Sequence, residues 1–195
     1  MTVLETKFLG QGQGPGSGLA AVAEAAGAVT VAGYASLYGI RDRGGDVVAP
    51  GADGAALARL AAQGERVRML WQHDQAQPIG IWDEVAEDER GLRVRGRILT
   101  GVARGREAAA LLKAGAVDGL SIGYRTKRAE PLPGGGRKLI ELELWEVSLV
   151  TFPMLPGARI AAKAAAGWSR IGTLAAGLEG AARALRGDGN ERSKR

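Results

Sequence analysis

The sequence predicts an α+β fold rich in β-structure: a mostly antiparallel barrel or sheet with helices packed on its outside. Segments that alternate apolar and polar residues recur along the middle of the chain, and residues 92–99 are the clearest of them. Two segments with helical features lie between these strands. Many strands with few helices favour one antiparallel sheet over repeated βαβ units.

Composition divides the 195-residue chain into three parts. Residues 1–27 include a Gly-rich run and are expected to form a flexible leader. Residues 28–160 carry the strand and helix patterns, and they are numerous enough to bury a core. Residues 161–195 are rich in Ala and Gly, with apolar residues at helical spacing and a basic end expected to be disordered.

Two helices are expected between the strands. Asp53 is expected to cap the first helix, which should end at Gly64, because Asp favours N-caps and Gly favours left-handed C-termini. Thr100 is expected to cap the second, residues 102–114, with Gly115 as its stop. The strands are expected at residues 28–38, 67–71, 79–85, 92–99, 117–124 and 139–152.

The chain has no cysteine and one histidine, His73. Disulfides, thiolate zinc sites, cysteine nucleophiles and His-rich metal centres are therefore excluded, which leaves only carboxylate sites for hard cations. We expect no metal or cofactor. No apolar run approaches the ~20 residues that span a bilayer, and residues 1–18 lack the pattern of a secretory signal. We therefore expect a soluble, intracellular protein without membrane partners.

The net charge of +5 raises the hypothesis of nucleic-acid binding. Much of the excess lies in the last thirteen or so residues, whereas basic and acidic residues are mixed along the middle of the chain. Aromatic residues are few and are not interleaved with the basic ones, so platforms for stacking bases are not evident. A basic tail for an anionic partner fits this pattern better than a nucleic-acid-binding core.

Ser121 is the candidate nucleophile. It lies in an apolar, strand-like segment with Gly119 and Gly123 two residues away on either side. Such small neighbours are expected to leave room for a substrate backbone. A half-buried structural serine is the alternative that this segment alone leaves open.

His73 and Glu146 are the candidate partners of Ser121. A serine hydroxyl needs a base to remove its proton, and a carboxylate commonly orients the imidazole that does so. His73 ends a predicted strand, although a surface or capping role is the simpler alternative for a lone histidine. Glu146 is expected to share a strand face with Leu144 and Ser148, where it would interrupt an apolar row and need a partner.

The order of these residues excludes two familiar hydrolase arrangements. Residues 119–123 match the G-x-S-x-G elbow, but that elbow needs a helix after the serine and a histidine downstream of it. Here a Gly/Pro-rich loop follows, and the histidine comes first. The chymotrypsin order would place the acid between histidine and serine, whereas Glu146 follows both.

The segment from about residue 33 to residue 160 resembles the prohead (capsid-maturation) proteases of tailed phages, which are similar in fold and site to the herpesvirus assemblins. The resemblance rests on short blocks that are individually weak and jointly specific in their order. They are GYA at 33–35, DVV at 46–48, PGA at 50–52, LWQHD at 70–74, PIG at 78–80, GLSIGY at 119–124 and EVSLV at 146–150, followed by Pro153.

The resemblance implies an assemblin-like fold, with residues 28–160 as the protease domain. It implies a serine endopeptidase with Ser121 as nucleophile and His73 as general base. Glu146 stands where assemblins have a second histidine, which gives a Ser-His-Glu triad. Assemblins also carry an arginine pair that helps form the oxyanion hole. Residues 153–155 of this chain, Pro-Met-Leu, occupy that region, so the resemblance assigns no oxyanion donors.

The role implied by the resemblance is cleavage of the scaffolding segment of the major capsid protein, and often of the protease itself. The partners would be the major capsid protein and its scaffold, with self-association as a further expectation. The place would be the assembling procapsid in the host cytoplasm. The alternative is a non-catalytic capsid assembly or scaffolding factor of the same fold. A nucleic-acid-binding barrel and a small-ester hydrolase have less support in the sequence.

Overall fold

The structure is a computed structural model that describes residues 24–25 and 27–161. The expectations for the tail, and for nearly all of the leader, therefore lie outside the described residues. Neither described helix has the length and apolar character that a bilayer-spanning helix needs.

The described residues form eight strands and two helices. The helices are α1, Gly54–Gln63, and α2, Ala103–Lys113. The strands are β1 Glu24–Ala25, β2 Ala28–Leu37, β3 Val47–Val48, β4 Arg68–Trp71, β5 Asp74–Glu87, β6 Gly91–Leu99, β7 Gly119–Pro131 and β8 Arg137–Val150. The predicted β-rich α+β class is confirmed.

All eight strands belong to one sheet, in the order β1-β2-β6-β5-β4-β8-β3, with β7 also paired to β8. Most pairs are antiparallel, as expected, but β8 runs parallel to both β3 and β4. The carboxyl-terminal half of β8 lies between β4 and β7. This position brings three distant parts of the chain next to each other.

The main apolar core lies beneath the middle of this sheet and is covered partly by α2. Trp82 of β5 is almost fully buried, and its indole N–H donates to the carbonyl oxygen of Val147 at 3.1 Å. Each fully buried aliphatic side chain contributes about 1.5–3 kcal/mol relative to an exposed one. The core side chains around Trp82 include Ile79, Val94, Ala108, Leu112, Leu120 and Leu149.

The ends of the helices match the sequence only in part. Gly64 and Gly115 follow α1 and α2 in the left-handed conformation, with φ of 68° and 72°, as predicted. The cap predicted for α1 is at the right position but makes no capping bond, and the cap predicted for α2 is wrong. Asp53 occupies the N-cap position, but it has helical backbone angles and its carboxylate makes no capping bond. The N-cap of α2 is Val102, because Thr100 belongs to the turn after β6 and its N–H donates to Gly27.

A bulge interrupts β8 close to the candidate site. Tyr124 pairs with Leu144, whereas its neighbour Gly123 pairs with Glu146, so Trp145 has no partner in β7. An extra residue of this kind changes which side chains of a strand share a face.

The consequence is that the face predicted for Glu146 is wrong. Leu144 packs in the same apolar cluster as Val147 and Leu149, which lie on the opposite side of β8 from Glu146 and Ser148. Glu146 therefore does not interrupt the apolar row. The bulge turns its carboxylate away from that row, toward the side of the sheet where His73 lies.

Candidate active site

The imidazole of His73 is hydrogen-bonded to the carboxylate of Glu146. Nδ1 of His73 lies 2.5 Å from Oε1 of Glu146, and the two side chains are only 6% and 3% exposed. An ionised carboxylate can only accept, so Nδ1 carries the proton and donates it. In the neutral ring Nε2 is then the acceptor nitrogen, and this tautomer can take a proton from a neighbouring hydroxyl.

A two-residue hairpin turn between β4 and β5 directs His73 toward this partner. Gln72 and His73 have φ of 53° and 62°, a left-handed conformation that costs a non-glycine residue roughly 1–2 kcal/mol. Contacts with the end of β8 hold the turn in place. The Gln72 N–H donates to the carbonyl oxygen of Leu149 at 2.9 Å, and its side-chain amide donates to the hydroxyl of Thr151 at 2.7 Å.

Ser121 lies on β7, on the other side of β8 from β4. Its partner across the β7–β8 pair is Ser148, and directly paired residues project toward the same face of a sheet. The hydroxyl of Ser148 contacts both the Glu146 carboxylate and the His73 amide. The side chain of Ser121, which is 7% exposed by residue, therefore belongs to the face that carries His73 and Glu146.

The two glycines that flank Ser121 do not leave room for a substrate in the way the sequence predicts. A Cβ atom at Gly123 would lie 2.0 Å from Oε1 of Glu146, and one at Gly119 would lie 2.8 Å from the ring of Pro153. The space beside Gly123 is thus filled by the Glu146 carboxylate. The glycine is needed for the close approach of that carboxylate to β7, which is a different role from the predicted one.

A cleft opens beside Ser121 between β2 and β7. Its walls are mostly apolar and come from segments far apart in the chain, which is why no local sequence pattern predicted it. The apolar lining includes Ala35, Leu37, Ile40, Val48, Ile122 and Leu155.

The acidic residues of this cleft, Asp42 and Asp46, have structural partners. Asp46 is 3% exposed and accepts from the guanidinium of Arg137 at 2.7 Å and from the Arg137 N–H at 3.0 Å. Asp42 accepts from the amides of Gly44 and Asp46. These bonds fasten the loop between β2 and β3 to β8, so the two carboxylates shape the wall of the cleft.

Sequence reasoning missed a polar cluster at the start of α1, in which Asp53 is buried and Tyr38 and Glu87 are half-buried. Glu87 accepts from the Tyr38 hydroxyl at 2.6 Å and from the Asp53 N–H at 3.0 Å. The carboxylate oxygens of Asp53 are buried and have no hydrogen-bond partner. Burial, together with the nearby charge of Glu87, raises the pKa of Asp53 to about 7. Burial and the bond to Glu87 also raise the pKa of Tyr38.

Sequence reasoning also assigned no role to Ser148, which is fully buried. The signal that could have found it is its spacing. Ser148 is two residues from Glu146, so the two side chains share a strand face, and a polar residue there can bond the same carboxylate.

A model of a known protein family matches most of the chain. Residues 19–168 match the model of the Caudovirus prohead serine protease family. The chain therefore belongs to that family, and the resemblance indicated by the short sequence blocks is confirmed.

Two curated relatives carry names from phage capsid biology. The prohead protease of Enterobacteria phage HK97 is 37% identical over 133 residues, which are 67% of this chain and 58% of that protein. The capsid polyprotein of Pseudomonas phage PAJU2 is 34% identical over 94 residues, which are 45% of this chain and 14% of that protein. The chain thus spans less than two thirds of the length of either relative.

Among solved structures, the bacteriophage T4 capsid assembly protease is similar, with a TM-score of 0.56 and 16% sequence identity. The alignment covers 64% of this chain and 83% of the T4 protein. At this identity the similarity establishes a shared fold.

Proposed function

We propose that this chain is a serine endopeptidase of the prohead type, with Ser121 as nucleophile, His73 as general base and Glu146 as the residue that orients His73. The observation that carries the proposal is the 2.5 Å contact between Nδ1 of His73 and Oε1 of Glu146. These two residues are 73 positions apart in the chain. Family membership supports the reaction type.

The proposed reaction begins when Nε2 of His73 takes the proton of the Ser121 hydroxyl. The oxygen attacks the carbonyl carbon of the scissile peptide bond, and His73 then gives its proton to the departing amine. Water, activated by His73 in the same way, releases the acyl group from Ser121. Glu146 stabilises the imidazolium that forms in each half-reaction, because its carboxylate is buried against Nδ1.

The proposed substrate is an extended segment of capsid or scaffold protein. The apolar lining of the cleft beside Ser121 favours apolar side chains near the scissile bond. The names of the HK97 and PAJU2 relatives, a prohead protease and a capsid polyprotein, support a capsid substrate. We place the reaction inside the assembling procapsid in the host cytoplasm. Residues 1–27 and 161–195 are proposed sites of self-cleavage or of docking to capsid protein.

Labelling with a fluorophosphonate probe, read by intact mass, tests the nucleophile and the base. The wild-type protein should gain one adduct, and Ser121→Ala should gain none. His73→Ala should label at least a hundredfold more slowly, because an activating base typically contributes 10²–10⁴-fold. Thr30→Ala, which removes a hydroxyl from β2 outside the cleft, should label at the wild-type rate.

The substrate is tested by incubating each variant with the full-length capsid protein and measuring the masses of the products. Wild type should shorten the capsid protein, and Ser121→Ala should leave it intact. A folded wild-type protein that takes no probe and cuts nothing, even with capsid protein present, would overturn the proposal. That result would favour a non-catalytic assembly factor of the same fold.

A further inference from the structure

Ser148 makes two hydrogen bonds in the interior of the site. Its hydroxyl donates to Oε2 of Glu146 at 2.5 Å and accepts from the backbone N–H of His73 at 3.1 Å. The residue is 0% exposed, so water cannot replace either bond from the surface. One hydroxyl therefore joins the backbone of His73 to the carboxylate that holds the His73 ring.

These bonds hold two groups on which the position of the imidazole depends: the backbone of His73 and the carboxylate of Glu146. The position of the ring depends first on the left-handed backbone of His73, whose φ is 62°. It depends second on the direction of the Glu146 carboxylate, because Oε1 is the atom that meets Nδ1. The Ser148 hydroxyl contacts the His73 amide at one end and the free oxygen of that carboxylate at the other.

Each of the other contacts described around the site reaches one of these two groups. Gln72 is tied to Leu149 and Thr151 at the end of β8, which secures the turn but does not involve Glu146. Gly123 makes room for the carboxylate but supplies no side chain to orient it. Of the contacts described around the site, those of Ser148 are the ones that reach both.

We propose that Ser148 is a positioning residue that fixes the geometry of the His73–Glu146 pair. This inference rests on the proposed function. Ser148→Ala removes both bonds and leaves a buried amide and a buried carboxylate oxygen without this partner, which is a costly arrangement. The ring of His73 should then sample orientations in which Nδ1 no longer meets Oε1 of Glu146.

The single histidine makes the geometry directly observable. Because His73 is the one histidine in the chain, every imidazole signal in a proton–nitrogen NMR spectrum belongs to it. The wild-type protein should give a low-field Nδ1 proton resonance from the short bond to Glu146. Ser148→Ala should shift that resonance upfield or broaden it, whereas a loss of general stability alone would not alter it in the folded population.

The kinetic readout is the rate of fluorophosphonate labelling. Removing a hydrogen-bond partner that orients a metal-binding histidine typically costs 10–100-fold, and by analogy Ser148→Ala should label about 10–100 times more slowly than wild type. Ser148→Thr keeps the hydroxyl and should label faster than Ser148→Ala, although its added methyl group in the packed interior should hold the rate below that of wild type. Thr30→Ala, a hydroxyl deletion on β2, should leave both the resonance and the rate unchanged.

A third variant covers the case in which Ser148→Ala does not fold. Ser148→Cys keeps nearly the same shape but replaces the hydroxyl by a weak S–H donor, so it should also label at least tenfold more slowly. Wild-type labelling together with unchanged rate and resonance in the Ala or Cys variant would overturn the positioning role. If the wild type takes no probe, the proposed function fails. The resonance then decides the positioning role alone: a shift in the Ala or Cys variant supports it, and no shift overturns it.

Discussion

The carboxylate of Glu146 occupies the space that any side chain at Gly123 would need. A Cβ atom there would lie 2.0 Å from Oε1, the same oxygen that meets Nδ1 of His73. Glycine at position 123 therefore helps to hold the imidazole, because it leaves space for the Glu146 carboxylate, although it contributes no polar group to the site.

Gly123→Ala should displace the Glu146 carboxylate and slow fluorophosphonate labelling at least tenfold. Forcing one methyl group into a closely packed interior typically costs 1–3 kcal/mol, so we expect a loss of unfolding free energy in that range. Gly101→Ala is the matched control, because nothing lies within 4 Å of the added methyl group. Equal labelling rates for the two variants would show that the carboxylate does not need this space.

Glu146→Gln should slow labelling by a factor on the order of 10⁴, as replacing the acid of a serine-protease triad by its amide does. The amide can donate to Nδ1 and so favours the tautomer whose proton is on Nε2, which cannot accept from Ser121. Glu143→Gln is the control on the same strand, where Glu143 forms ion pairs with Arg59, Arg125 and Lys127. The comparison is made on labelling rates at pH 7. A wild-type rate in Glu146→Gln would remove Glu146 from the proposed triad.

Asp53→Asn should flatten the dependence of stability on pH. The pKa of Asp53 is raised from 3.8 to about 7, so between these values the unfolded chain releases a proton that the folded protein keeps. This group therefore stabilises the fold fully below about pH 4, and its contribution is lost as the pH rises toward 7. At 1.36 kcal/mol per pKa unit, the loss is at most about 4 kcal/mol. Urea unfolding of wild type and Asp53→Asn at pH 4.5, 6 and 7.5 measures this loss of unfolding free energy.

Asp88→Asn provides a control of opposite sign. Burial opposes the charged form of Asp88, yet hydrogen bonds from Tyr34 and from the amides of Arg90 and Gly91 lower its pKa. Its contribution is present at neutral pH and is lost as the pH falls through its folded pKa. Asp88→Asn should therefore reduce stability more at pH 7.5 than at low pH. If the unfolding free energies of wild type and Asp53→Asn change with pH in the same way, Asp53 has an ordinary pKa.

The features predicted well from the sequence are those set by nearby residues. Gly64 and Gly115 mark the ends of α1 and α2, because a left-handed residue after a helix is a local requirement. The alternation of apolar and polar residues at 92–99 predicts β6, because it too depends only on nearby residues. Asp53 misled this reasoning, since its surroundings are set by Glu87, which lies 34 residues away.

The features that could not be predicted depend on strand pairing over long distances. The parallel pairing of β4 with β8 joins segments more than 70 residues apart, and the bulge at Trp145 exists only relative to β7. Both decide where Glu146 points. Ser121, His73 and Glu146 were selected by residue type and order, whereas the bond between Ser148 and His73 became visible only when β8 was placed beside β4.

The position of β8 also has a consequence for the order of folding. Residues 68–71 of β4 and 119–124 of β7 have no pairing with each other, and both pair with the carboxyl-terminal half of β8. A nascent chain that has not yet reached residue 146 lacks both Glu146 and Ser148, and it lacks the bonds that the end of β8 makes to Gln72 and His73. Contacts of such large sequence separation form slowly. Assembly of the His73–Glu146 pair is thus coupled to insertion of β8.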